Sequence, residues 1–181
     1  MNEWYSTELC MKLTTLLLAL FISHIVTAAP QEGDLAPNFE LQASDDEIYT
    51  LAQFRGKQPV VISFFPKAFT GGWTAQCKAL RDSDREIKNY DVAYFMASTD
   101  TLEDNTDFAE KNGATFPILA DPNKTMCEAY GVLSARGYAN RWTFYIDKAG
   151  VIQKIDKQVN VREAGKQLVE NMDALNFQQE T

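Results

Sequence analysis

The chain has 181 residues, 45% hydrophobic content and a formal net charge of −8, which suits one globular domain with an ordinary core and a short extension. The acidic balance argues against non-specific binding to nucleic acid or to an anionic membrane, since both depend on clustered Lys and Arg facing phosphate.

Lys12, the apolar run Leu13 to Ile22 and the small residues ending at Ala28-Ala29 read as a secretory signal peptide. Residues 1–28 are assigned to it, with Met11 a natural start, and residues 29–181 to a single domain. The apolar residues of this whole stretch, about 14, are too few to span a bilayer comfortably. The mature protein is therefore expected in the periplasm or outside the cell, with no stable membrane association. Cleavage removes Cys10 and His24, leaving Cys77 and Cys127 and no histidine. Ser-His-Asp and Cys-His hydrolysis, His-based acid catalysis and His-ligated zinc or iron all lose their central residue, so no metal or other cofactor is expected.

Phe39 to Ala43 and Ile48 to Leu51 flank the polar Ser44-Asp45-Asp46-Glu47 and predict a small hairpin. Val60 to Phe65 is apolar nearly throughout, as a central strand covered on both faces would be. Gly71-Gly72 is expected as a turn, with no phosphate-binding motif around it. A helix is expected close after Thr70, with Trp73, Cys77, Leu80, Asp84 and Ile87 on one face. Val92 to Ala97 predicts a second buried strand, Leu102 to Lys111 a helix closed by Asn112-Gly113, and Phe116 to Ala120 a short strand. A further helix is expected from Asp121-Pro122 to Tyr130. Trp142 to Asp147 and Val151 to Ile155 flank Lys148-Ala149-Gly150 as a hairpin, and a last amphipathic helix carries Val161, Leu168, Val169, Met172 and Leu175. This order predicts an α/β, thioredoxin-like fold: a mixed central sheet, helices on both faces and an N-terminal β-hairpin extension.

Pro66 to Cys77 reads P-K-A-F-T-G-G-W-T-A-Q-C at the predicted strand-to-helix junction. The opening Gly33-Asp34-Leu35-Ala36-Pro37-Asn38-Phe39, the run Phe64-Phe65-Pro66-Lys67 with Thr70, Phe116 to Asp121, Tyr130-Gly131-Val132 and Arg141 in Arg141-Trp142-Thr143-Phe144 occur in that order. Together these motifs resemble the peroxiredoxins, the alkyl hydroperoxide reductase and thiol-specific antioxidant family, especially the bacterioferritin comigratory protein branch. The resemblance runs over roughly 33–176. It implies reduction of hydrogen peroxide or organic hydroperoxides, a thioredoxin-like or small-thiol reductant, and a monomer or homodimer.

The resemblance also implies roles. Pro66 would shield the site, the Thr70 hydroxyl would orient the peroxide, and Arg141 would hold a fixed positive charge beside the nucleophile. Position 73 is the family's peroxide-attacking cysteine, at a helix N-terminus where the dipole and a neighbouring cation favour a thiolate. Here it is Trp73, whose indole offers one N–H donor and no ionisable sulfur. Three origins stay open: a degenerate member that keeps the fold as a binding module, a one-base substitution from a Cys codon, or a selenocysteine codon read as tryptophan. Cys77 is either a resolving thiol or a small core residue, and Cys127 is read as core. Thr70 as a plain helix cap and Arg141 as a surface ion-pair partner are the simpler rivals. Without C-x-x-C, thioredoxin-type disulfide reduction is disfavoured.

Overall fold

The computed structural model describes residues 28–68 and 71–178. The expected leader, its last position apart, lies outside the described residues, as does Thr70.

The elements run β1 (Glu40–Gln42), β2 (Ile48–Thr50), β3 (Val60–Phe64), α1 (Gly71–Asp82), α2 (Asp84–Ile87), β4 (Ala93–Ser98), α3 (Leu102–Asn112), β5 (Ile118–Ala120), α4 (Thr125–Ala129), β6 (Thr143–Ile146), β7 (Ile152–Asp156) and α5 (Ala164–Ala174). Strands β1 and β2 form the separate hairpin, and the other five form one sheet in the order β5-β4-β3-β6-β7. β3, β4 and β5 are parallel, whereas β6 and β7 are antiparallel to their neighbours. This mixed sheet with its separate hairpin is the α/β architecture expected from the sequence.

The two faces of the sheet carry different halves of the core. Every residue of β3 is buried, and its side chains alternate: Val60, Ile62 and Phe64 join one cluster, Val61 and then Phe65 the other. Phe39, Ala43 and Leu51 from the N-terminal segment cover the first face, together with Met126 and Cys127 of α4. Trp73, Cys77 and Leu80 of α1, Phe108 of α3, and Leu168 and Met172 of α5 cover the second. A strand hemmed in on both sides gains nothing from polar residues, which is why Val60 to Phe65 reads as one apolar run.

Several boundaries differ from the sequence reading. Gly71 and Gly72 are not a turn but the first residues of α1. The stripe from Trp73 to Ile87 is not one helix, because the chain breaks at Ser83. There α5 crosses closely: a Cβ added at Gly165 would lie 2.3 Å from Ser83 Oγ and 2.5 Å from the Ala79 carbonyl oxygen. The helix expected from Asp121 begins only at Thr125, since the Lys124 N–H returns to the Asp121 carbonyl and Lys124 adopts a left-handed φ of 64°. Asp121 instead receives the Cys127 N–H on its carboxylate at 2.8 Å. Val161 and Leu175 flank α5 rather than lying in it. By contrast, α3 ends at Gly113, whose φ of 62° is the left-handed cap that glycine supplies without strain.

Candidate active site

Pairing within the sheet brings distant segments to one point. β6 runs antiparallel to β3 with Ser63 opposite Thr143, and the Phe64 N–H donates to the Trp142 carbonyl at 2.8 Å. The C-terminal end of β3 therefore meets the entry to β6, and Pro66 and Arg141 line one cleft of about 420 Å³ with Ser134, Arg136, Tyr138 and Asn140. Sites gather at the carboxyl ends of parallel strands for this topological reason.

Arg141 also meets the first turn of α1. Its guanidinium donates to the Gln76 side-chain oxygen, and a Cβ added at Gly72 would stand 3.6 Å from its Nη2. Partial burial lowers the Arg141 pKa from the ordinary arginine value. Gln76 is 1% exposed, so this bond holds a cation against the α1 N-terminus in a water-poor setting, where electrostatic effects are strong.

Trp73 does not sit at an open pocket mouth. It is 0% exposed and lies face to face on Phe65, with ring centroids 3.4 Å apart and planes 2° from parallel. Phe108 stacks on it as well, with ring centroids 4.6 Å apart. The indole N–H is buried without an acceptor among the described residues. The α1 stripe thus carries position 73 into the core, while Gly72 and Gln76 carry the contacts to Arg141.

Cys77, one turn on, is also fully buried. Burial pushes its thiol up to about 11, only partly opposed by Arg81 and Lys78. Such a thiol is almost wholly protonated at neutral pH and a poor nucleophile. Cys127 is buried as well, with its thiol pushed up by burial and then by Asp121. Neither cysteine forms a disulfide.

Two residues that bear on this site escape the motif reading. Gln76 is a polar residue on an otherwise apolar flank, one turn beyond Gly72. Asp100 follows β4, and its carboxylate accepts the Ala68 N–H at 2.7 Å. A search for polar residues just past the ends of adjacent parallel strands would have found Asp100.

A sequence profile described as the AhpC/TSA family matches residues 33–155. The chain belongs to the AhpC/TSA family. Among curated AhpC/TSA relatives it is 37% identical over 124 residues to alkyl hydroperoxide reductase E of Mycobacterium tuberculosis, covering 67% of this chain and 81% of that one. It is also 37% identical over 130 residues to peroxiredoxin Bcp of Escherichia coli, covering 68% and 83%. Among solved structures, peroxidoxin BcpB of Mycobacterium tuberculosis superposes with a TM-score of 0.72 at 25% identity, covering 80% of this chain and 97% of that one. A PrxQ mutant of Xylella fastidiosa gives 0.75 at 22% identity, over 82% and 99%, which speaks to fold alone. This AhpC/TSA chain accordingly has the thioredoxin-type peroxiredoxin fold, in its Bcp branch.

Proposed function

We propose that this protein carries the site of a peroxidase that reduces hydrogen peroxide or organic hydroperoxides, with the attacking atom missing from position 73. Family membership supports the reaction class. The observation that carries the reading is Arg141, held by Gln76 against the first turn of α1 beside Pro66. A thiolate or selenolate at position 73 would lie within the dipole field of that turn.

The chemistry would run as follows. A thiolate or selenolate at position 73 attacks one peroxide oxygen, the O–O bond breaks, and the electron pair leaves with the other oxygen, which takes a proton as water or alcohol. The residue becomes a sulfenic or selenenic acid. A thioredoxin-like or small-thiol reductant then supplies two electrons and two protons, releasing water and restoring the nucleophile. Pro66 walls the cleft, Arg141 stabilises the negative charge, and the Thr70 hydroxyl is assigned to the peroxide. Cys77 is too deeply buried and too basic to act as resolving thiol unless α1 loosens.

With Trp73 in place, position 73 offers no group able to perform the first step, and turnover is expected to be absent or weak. The second reading, a thioredoxin-like binding module without catalysis, draws on the packing of Trp73, which fills the core against Phe65 and Phe108 as an ordinary buried aromatic would. Export to the periplasm or beyond, as monomer or homodimer, is part of the proposal.

Peroxide consumption with thioredoxin or dithiothreitol as reductant, measured on this chain and on Trp73→Cys, separates the readings. Rapid turnover in Trp73→Cys alone supports the peroxidase site. Equal fast rates in both would refute the nucleophile argument, and no gain in Trp73→Cys would favour the binding module.

A further inference from the structure

We propose that Asp100 is a positioning residue for the loop between β3 and α1, acting through the backbone of Ala68. Its kinetic consequence rests on the peroxidase reading, whereas its structural one does not.

Ala68 is 4% exposed, so its N–H needs an acceptor inside the protein. The Asp100 carboxylate supplies one at 2.7 Å, a charge-assisted bond stronger than a neutral one. β4 lies parallel beside β3 with Phe64 opposite Ala97, and the Phe65 N–H continues that ladder onto the Ala97 carbonyl at 3.0 Å. Beyond this point the two chains leave the sheet side by side, and the Asp100 side chain bridges them.

Asp100 is itself fastened. Its N–H donates to Ser98 Oγ at 3.1 Å. The Ser98 hydroxyl donates to Asn105 Oδ1 at 3.1 Å, and Asn105 Nδ2 donates to the Leu119 carbonyl at 3.3 Å. Ser98 and Asn105 are each 0% exposed, so this series is anchored in β4, α3 and β5. A buried, satisfied polar series of this kind rigidifies what it touches. It ends on Ala68, three residues before Gly71 opens α1, and so holds the loop from the side opposite Arg141.

The test is amide hydrogen exchange, read by NMR on the chain as it stands, on Asp100→Ala and on Asp100→Asn. In Asp100→Ala, Ala68 is expected to exchange roughly tenfold to a hundredfold faster, the loss of one charge-assisted bond, with Ile62 and Phe95 unchanged. Asp100→Asn keeps an acceptor oxygen and should stay within about threefold of the parent. Placed in Trp73→Cys, Asp100→Ala should lower kcat/KM for peroxide by about tenfold to a hundredfold, with Asp100→Asn restoring most of it. Unchanged Ala68 exchange, or equal acceleration at Ala68, Ile62 and Phe95, would overturn the role. If Asp100→Ala does not fold, Ser98→Ala, which frees the Asp100 N–H, must still accelerate Ala68 selectively or the idea fails. Absence of peroxide turnover in Trp73→Cys itself would count against the peroxidase reading and leave the exchange result to decide the role of Asp100.

Discussion

The indole of Trp73 lies flat on the ring of Phe65, 3.4 Å between centroids and 2° from parallel, so the residue at position 73 is built into the hydrophobic core. Two opposing effects follow. Truncating a buried Trp costs about 3–5 kcal/mol, while removing an unpaired buried N–H returns about 1–3 kcal/mol. Trp73→Ala is therefore expected to lower stability by about 2 kcal/mol net, read as a shift of the urea midpoint at constant m. An unchanged midpoint would mean that the ring is not packed as described.

Burial holds the Cys77 thiol near 11 against an ordinary value of 9.0. Alkylation of the native protein at pH 7 should accordingly be far slower than that of the unfolded chain, and iodoacetamide labelling with mass spectrometry checks this. A rate like that of a free thiol would revive Cys77 as a redox group.

The same shift sets a pH dependence. The unfolded thiol loses its proton near 9 while the folded one keeps it until about 11, so across that window the folded state binds more protons and stability falls as pH rises. Burial raises Tyr94, Tyr130 and Tyr145 in the same direction. Thermal melts from pH 8 to 11 should show falling Tm, with a shallower decline in Cys77→Ser. A flat profile would contradict the burial argument.

Gly165 lets α5 approach α1 at its break. An added methyl would meet Ser83 Oγ at 2.3 Å and the Ala79 carbonyl oxygen at 2.5 Å, and backbone cannot move aside cheaply. Overpacking of about 1–3 kcal/mol outweighs the gain of up to about 1 kcal/mol that alanine brings to a helix interior. Gly165→Ala should therefore lower the denaturation midpoint, and a raised midpoint would show that the crossing is loose.

Gln76 binds the half-buried guanidinium of Arg141 from a position 1% exposed. Gln76→Ala should cost about 1.5–3 kcal/mol, the usual range for a hydrogen bond to a charged group. In Trp73→Cys it should also raise the thiol pKa at position 73, as Arg141 loses its fixed place; the pH dependence of alkylation reports this. An unmoved profile would show that Arg141 is positioned by other contacts.

Periodicity in the chain was enough to locate the strands, because residues buried on both faces must be apolar and those at hairpins must turn. The ordered motifs around Pro66 and Arg141 were enough to name the family. The turn from Asp121 to Lys124 was hidden, since a carboxylate taking the Cys127 N–H looks in sequence like an ordinary start of helix. The break at Ser83 was hidden too; it lies where α5 crosses close by at Gly165, a neighbour that no local pattern reveals.

What the amino-acid order determined by itself was the chemistry absent at position 73: an indole has no ionisable sulfur, whatever surrounds it. Only the tertiary structure decided where that indole goes, what holds Arg141, and that Cys77 is buried. Those outcomes depend on which rings, oxygens and carboxylates the folded chain packs together from segments far apart, and burial and hydrogen bonding are properties of that packing.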